Sequence, residues 1–261
     1  MENLSAIQTL VNGKEEIPPV SPFVVQVSNL KKSFGNKVIL KDISLTLSPG
    51  ENLVVLGKSG SGKSVLIKCI IGLIEPDEGE LIVLGQHITQ LNIKSLNKLR
   101  QKVGFLFQSA ALYDSLTVRE NLEFPLRKLR LVKEDQIEAL VIEALEHVGL
   151  LEAINKMPSS LSGGMRKRIG LARTLILKPE IMLYDEPTTG LDPITSSEIS
   201  QLILEVQKKQ HTASIIITHD IKCAAITSDR IIVISEGICA GEGNYDELMH
   251  STDPRISPFF L

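Results

Sequence analysis

The 261-residue chain contains no tryptophan, and aromatic residues make up only 4% of it. That scarcity argues against a platform for single-stranded nucleic acid, which needs aromatic faces to stack bases on. An excess of one charge is missing too. The 28 Lys and Arg residues stand against 31 Asp and Glu, for a net charge of −3. Phosphate-backbone binding needs clustered basic residues, so no nucleic-acid partner is expected. Only three cysteines occur, Cys69, Cys223 and Cys239. An odd, sparse set without a CxxC pair is neither a disulfide framework nor a zinc site, and it fits a reducing compartment. No run of about 18 apolar residues is present to span a bilayer, and the N-terminus lacks the basic-then-apolar order of a secretory signal. Work at a membrane would therefore need something else to hold the chain there.

The remaining composition is that of an ordinary globular protein, 43% hydrophobic, long enough for one large domain or two small ones. Residues 1–22 are polar, end in Pro18, Pro19 and Pro22, and are expected to form a loose tail. From Phe23 the texture changes to short runs of Val, Ile and Leu bounded by Gly, Pro and Asn. The early runs, residues 23–27, 38–40 and 43–47, alternate as half-exposed antiparallel strands do. Residues 53–56, 181–184 and 214–218 are continuously apolar, which suits parallel strands buried on both faces. Residues 133–148 place Ile137, Leu140, Val141, Ala144, Leu145 and Val148 on one helical stripe, and 162–177 and 193–210 also read as helices. Strands alternating with helices predict an α/β fold with a largely parallel sheet. Residues from about 95 to 160 read as an inserted helical subdomain.

The sharpest local pattern is Gly57-Lys58-Ser59-Gly60-Ser61-Gly62-Lys63-Ser64. It follows an apolar strand and opens a helical stretch, the context that a phosphate-binding loop requires. Glycines let backbone N–H groups turn inward and approach phosphate closely. The helix N-terminus adds its positive end. Lys63 has the reach for β- and γ-phosphates, and the Ser64 hydroxyl can ligate Mg²⁺. A second apolar strand ends in Asp185-Glu186. Asp185 then stands at the C-terminal edge of the sheet, where it can orient Mg²⁺. Glu186, one residue on, is placed to polarise the attacking water as general base.

Leu161-Ser162-Gly163-Gly164-Met165, followed by Arg166-Lys167-Arg168, resembles the LSGGQ signature of the ATP-binding cassette (ABC) ATPases. The motif order is also theirs: phosphate loop, Gln108, signature, Asp185-Glu186, Leu191-Asp192, His219. The resemblance covers nearly everything from Phe23 to about Met249. It implies an ABC-ATPase fold of the P-loop class, with a mixed sheet core, an antiparallel β subdomain and the helical subdomain, leaving 250–261 as a C-terminal tail. ATP and Mg²⁺ are the implied cofactors. Phe34 matches the aromatic that stacks on adenine. Val65 stands where a hydroxyl residue often sits, so only its N–H serves the α-phosphate. Gln108 matches the glutamine that contacts Mg²⁺ and senses the γ-phosphate. Ser162, Gly163 and Gly164 match the signature that clamps the ATP held by a second copy of the chain. Asp192 matches an aspartate at that head-to-tail seam, and His219 a histidine that contacts the γ-phosphate. His87, His147, His211 and His250 lie on polar stretches and read as solvated, as does the basic run 166–168.

Met165 replaces the usual signature glutamine. Together with residues 107–118, Phe124-Pro125-Leu126-Arg127 and Gly190-Leu191-Asp192-Pro193-Ile194-Thr195, it resembles the Mla-type ATPases. Those serve transporters that use MCE-domain proteins to move phospholipids or sterols between membranes. The resemblance implies a separate integral membrane permease, an MCE-domain lipid-binding partner, and a peripheral position on the cytoplasmic side of the bacterial inner membrane. Leu112, Tyr113, Leu116 and Phe124 are expected to help line a groove for a short helix of the permease. Two other readings stay open: the ATPase of an importer for amino acids or another small solute, and an ABC ATPase outside transport.

Overall fold

The computed structural model describes residues 22–260, so the tail expected at 1–22 lies outside the described residues except for Pro22. β1 (Val25–Phe34) and β2 (Lys37–Leu47) pair antiparallel. β3 (Asn52–Leu56) follows, and β4 (Glu78–Val83) returns to the free side of β1. Alternation sets these outer strands. Val25, Val27, Leu30, Leu40, Ile43, Leu45, Leu47, Leu81 and Val83 turn inward and are buried, while intervening positions meet water. Residues 38–40 and 43–47 belong to one strand rather than two. Its pairing with β1 shifts register between Leu30 and Lys32, as a bulge does.

β5 (Gln86–His87) closes that edge. β6 (Val103–Leu106), β7 (Ile181–Asp185) and β8 (Ala213–Thr218) pair in parallel with one another, and β8 pairs with β3. Every residue of β3, β7 and β8 is buried, as continuous apolar runs require. β9 (Arg230–Ser235) lies parallel to β3, and β10 (Ile238–Gly243) turns back against β9 and touches β2 through Ile238 and Asp42. One ten-stranded mixed sheet results, in the order β5-β4-β1-β2-β10-β9-β3-β8-β7-β6.

The helices divide over two cores because strand side chains alternate in direction. Leu53 and Val55 face one core with α1 (Lys63–Ile70), α2 (Ile93–Arg100) and the antiparallel strands; Ile67, Leu81 and Leu99 are among its members. Val54 and Leu56 face the other. It packs α3 (Val118–Leu129), α4 (Glu134–His147), α5 (Gly163–Leu175), α6 (Pro193–Gln210) and α7 (Ile221–Thr227) through Leu122, Val141, Ile169, Ile203 and Ala224. The 95–160 stretch thus contains a sheet strand, β6, ahead of α3 and α4. After α8 (Tyr245–Met249) the chain stays docked. Ile256 is buried over Gly241, and the Phe260 ring meets Tyr245 edge-on at 5.4 Å. Among the described residues, no helix is long and apolar enough to cross a membrane.

Candidate functional site

The phosphate-binding pattern forms the turn between β3 and α1. Gly62 caps α1 with φ +103°, a conformation open mainly to glycine. A Cβ there would lie 2.6 Å from Leu40 Cδ2. Gly57 is excluded from carrying a side chain by contact instead, since its Cβ would meet the Ile234 carbonyl oxygen at 2.6 Å. Lys63 is only 5% exposed. Its Nζ donates to the carbonyls of Gly57 (2.7 Å) and Lys58 (3.2 Å) and lies 3.5 Å from Glu186 Oε1. Burial pushes this ammonium below the ordinary lysine pKa, with Glu186 and Asp185 opposing the shift. The Ser61 hydroxyl is buried in the same loop with no hydrogen-bond partner.

Asp185 ends β7, and its Oδ1 accepts from Ser64 Oγ at 2.9 Å. Glu186 follows with φ +52°, its N–H donating to the Ile217 carbonyl across the sheet at 2.9 Å. Its Oε2 lies 2.7 Å from His219 Nδ1 and accepts from Thr189 Oγ1 at 3.0 Å. Gln108 arrives after β6 and His219 after β8. Ser59, Gly60, Gly62, Lys63, Ser64, Val65, Gln108, Glu186 and His219 line one cleft of about 520 Å³, together with Lys37, Ile39 and Thr189. The cleft sits at the C-terminal ends of parallel strands, the usual ligand edge of an α/β sheet.

The other expected residues lie elsewhere. Phe34 stands half-exposed at the β1–β2 turn, 5.4 Å from Lys32 Nζ, and does not line the cleft. Ser162 caps α5 by accepting from the Met165 N–H at 3.2 Å. A Cβ on Gly164 would strike Thr195 Cγ2 at 2.5 Å, so glycine there lets the starts of α5 and α6 approach. Asp192 caps α6 through the N–H groups of Ile194 and Thr195, both at 3.0 Å. Neither the signature nor Asp192 lines the cleft of its own chain.

The basic run 166–168 is not a solvated face. Arg166 donates to the Leu161 carbonyl, and Arg168 to the Val148 carbonyl and to Glu198. Lys167 is 5% exposed and donates to the Glu186 carbonyl at 3.1 Å. Helical spacing carried the signal: Gly164, Lys167, Leu171 and Leu175 form one stripe, all buried. A groove of about 550 Å³ opens beside Gln108, lined by Phe105, Phe107, Tyr113, Phe124 and Pro125 among others. The Tyr113 and Phe124 rings lie 4.9 Å apart. Leu112 packs against the core instead, and Leu116 does not line the groove. Asn121, fully buried, ties this segment down. Its Nδ2 donates to the carbonyls of Tyr113, Leu116 and Thr117, and its Oδ1 accepts from the Tyr113 N–H.

Residues 40–189, 150 of the 261, match the ABC transporter family. The probable ribonucleotide transport ATP-binding protein mkl of Mycobacterium tuberculosis is 40% identical over 235 residues, which cover 90% of this chain and 66% of that protein, so the chain spans just under two thirds of this relative. The intermembrane phospholipid transport system ATP-binding protein MlaF of Haemophilus influenzae is 36% identical over 90% of this chain and 89% of its own. The methionine import ATP-binding protein MetN of Rhizobium johnstonii is 37% identical over 98% of this chain and 71% of its own. Among solved structures, cbiO1 of Clostridium perfringens matches with a TM-score of 0.81 at 31% identity, covering 89% of this chain and 92% of that one. The dimeric cassette MJ0796 bound to ADP and Pi matches with a TM-score of 0.77 at 33% identity, covering 85% and 98%. With its motifs gathered on this sheet and this match over more than half its length, the chain belongs to the ABC transporter ATP-binding family.

Proposed function

We propose that the chain is the ATP-hydrolysing subunit of an ABC transporter that moves lipid through a separate membrane permease. The observation that carries the ATPase reading is the cleft lined by Lys63, Ser64 and the Glu186–His219 pair, with Asp185 joined to it through its hydrogen bond from Ser64. The loop's N–H groups and the start of α1 hold the phosphates, with the unpartnered Ser61 hydroxyl available to a phosphate oxygen. Lys63 meets the β- and γ-phosphates. Ser64 and Asp185 fit Mg²⁺, because they bring hard oxygens together at 2.9 Å. Gln108, which lines the same cleft, would be a further oxygen donor, and phosphate oxygens would supply the rest. Held by Ser64 and Asp185, Mg²⁺ would supply charge neutralisation on the phosphates. Glu186 takes the proton of the attacking water. His219 and Thr189 fix its carboxylate, and His219 also reaches the γ-phosphate. The Val65 N–H serves the α-phosphate, and Phe34, exposed three residues before the cleft-lining Lys37, stacks on an adenine that extends beyond the cleft.

Ser162, Gly163 and Gly164 begin a helix and so form a second anion site. Because they do not line their own cleft, they serve the ATP of a second copy, with Asp192 at the seam. The dimeric state of MJ0796 supports a head-to-tail pair closing over two ATP molecules. The aromatic groove receives a helix of the permease, which holds the chain on the cytoplasmic side of the bacterial inner membrane. Phospholipid is the favoured cargo, with an MCE-domain protein as a further partner. Met165 and the segments around Gln108 and Asp192 support this, as does MlaF, the relative among the three whose length the chain covers most fully. The similarity to MetN supports a second reading, a small-solute importer.

Glu186→Gln should abolish turnover and accumulate an ATP-loaded dimer, read by size-exclusion chromatography with and without ATP. Undiminished hydrolysis by that variant would overturn the assignment. Purification of the chain from its own membranes in mild detergent, followed by mass spectrometry, tests the cargo. A permease with an MCE-domain protein and phospholipid supports lipid transport, whereas a permease with a solute-binding protein supports the importer.

A further inference from the structure

Lys167 is a buried cation that makes no direct ion pair among the described residues. Its side chain is 5% exposed, and among the described residues no carboxylate oxygen lies within 4.0 Å of its Nζ. Its one hydrogen bond goes to a backbone oxygen, the carbonyl of Glu186, at 3.1 Å. Burial lowers its pKa, with the nearby charges of Asp185 and Glu186 opposing. Desolvating an ammonium for a single neutral partner is costly, and an apolar residue on the same buried stripe of α5 would avoid that cost. Retaining the charge here points to a task.

The task is visible in what the ammonium holds. Glu186 occupies the left-handed backbone region at φ +52°, although it carries a full side chain. Such a conformation persists only when its surroundings over-determine it. Three groups fix the carboxylate: His219 Nδ1, Thr189 Oγ1 and, at 3.5 Å, Lys63 Nζ. The peptide is fixed separately. The Glu186 N–H is anchored on the Ile217 carbonyl, while its own carbonyl takes Lys167 Nζ and, at 3.3 Å, the Thr189 N–H. Lys167 is the side chain in that set that comes from α5. It lies five residues beyond Ser162, about 7.5 Å along the helix axis.

We propose that Lys167 is a positioning residue for Glu186, holding the peptide of the base in its left-handed conformation and tying it to the helix that begins with Ser162-Gly163-Gly164. The proposal rests on the reading of Glu186 as general base. A helix whose first turn clamps the ATP of one site thereby grips the base of the other, five residues apart on a rigid element.

The test is steady-state ATP hydrolysis by the full chain with Mg²⁺, comparing Lys167→Met and Lys167→Arg with the parent. Met keeps the length and removes donor and charge; Arg keeps both. Lys167→Met should lower kcat at least tenfold and leave KM for ATP within twofold. Lys167→Arg should recover most of the lost kcat. Parental kcat in the Met variant overturns the proposal, as does an Arg variant no faster than the Met variant. Thermal unfolding is followed in parallel. If the Met variant does not fold, Lys167→Leu, which also lacks a donor, replaces it, and the same ordering of kcat is required. Loss of turnover in Glu186→Gln beside an unaffected Lys167→Met sinks this proposal alone, whereas full activity in Glu186→Gln sinks the reading beneath it.

Discussion

At the scale of single residues, the phosphate loop is set by two different limits on glycine. Gly62 is held by φ +103° and by Leu40 at 2.6 Å from any Cβ, whereas Gly57 is held by contact, with the Ile234 carbonyl oxygen at 2.6 Å and Ser61 Oγ at 2.7 Å. Gly62→Ala should therefore cost about 1–3 kcal/mol in folding stability from backbone strain, before any repacking of Leu40. It should also weaken ATP binding, because α1 begins at this residue. Urea denaturation and equilibrium ATP binding check both, and parental affinity in the variant would contradict the account. Lys63, Ser64, Asp185, Glu186 and His219 were legible as residues because each sits in a short motif whose chemistry is local. Lys167 was not. A lysine between two arginines reads as solvated until the helical stripe through Gly164 and Leu171 is followed. Thr189 and Asn121 carry no motif, and only the fold shows what they hold.

At the scale of elements, helices and buried strands followed the periodicity of the sequence closely. α6 runs over Pro193–Gln210 as its spacing predicts, and β3, β7 and β8 fall on the continuous apolar runs. The fusion of 38–40 and 43–47 into β2 was hidden by Lys41 and Asp42, which interrupt the alternation without interrupting the strand. Two joints between elements lend themselves to measurement. Asn121 of α3 is fully buried and bonds the Tyr113 N–H and the Leu116 carbonyl, so Asn121→Ala removes both partners together with a buried side chain and should cost about 2–4 kcal/mol. A shift in urea midpoint of less than about 0.5 kcal/mol equivalent would refute this. The second joint is Glu51, immediately before β3, which accepts from Arg230 of β9 at 2.7 Å. Burial alone would raise this carboxyl, but Arg230 and the Ser48 N–H outweigh it and hold its pKa below the ordinary glutamate value. A carboxyl depressed in the folded state stabilises above its unfolded pKa and loses that contribution as pH falls through the folded one. Glu51→Gln should thus destabilise the protein at pH 7, and the gap to the parent should close as thermal unfolding is repeated below about pH 4. A gap that persists at acidic pH would show that the ion pair is not its source.

At the scale of the whole molecule, local pattern stops being informative. Nothing in the sequence of β2 and β10 announces that they meet, yet that junction joins the antiparallel strands to the parallel ones. The cleft likewise gathers residues as far apart as Lys63, Gln108, Glu186 and His219, and only the strand order brings their loops to one edge. The groove beside Gln108 is a product of the same order. β6 brings Phe105 and Phe107, α3 brings Phe124, and the segment fixed by Asn121 brings Tyr113. Phe124 and Tyr113 are 36% and 45% exposed, an aromatic pair open to solvent beside the loop that carries Gln108. Exposed aromatic surface in a groove is what a partner helix buries. A charge placed there is inexpensive in the free chain, where position 124 meets water, and expensive in a complex that excludes water. Phe124→Asp should therefore leave the unfolding temperature of the isolated chain within a few degrees of the parent while strongly reducing its recovery with membranes. Sedimentation of membranes after expression at matched levels, followed by quantitative immunoblotting, measures that recovery. A variant that sediments as the parent does would contradict the proposed docking of a permease helix in this groove.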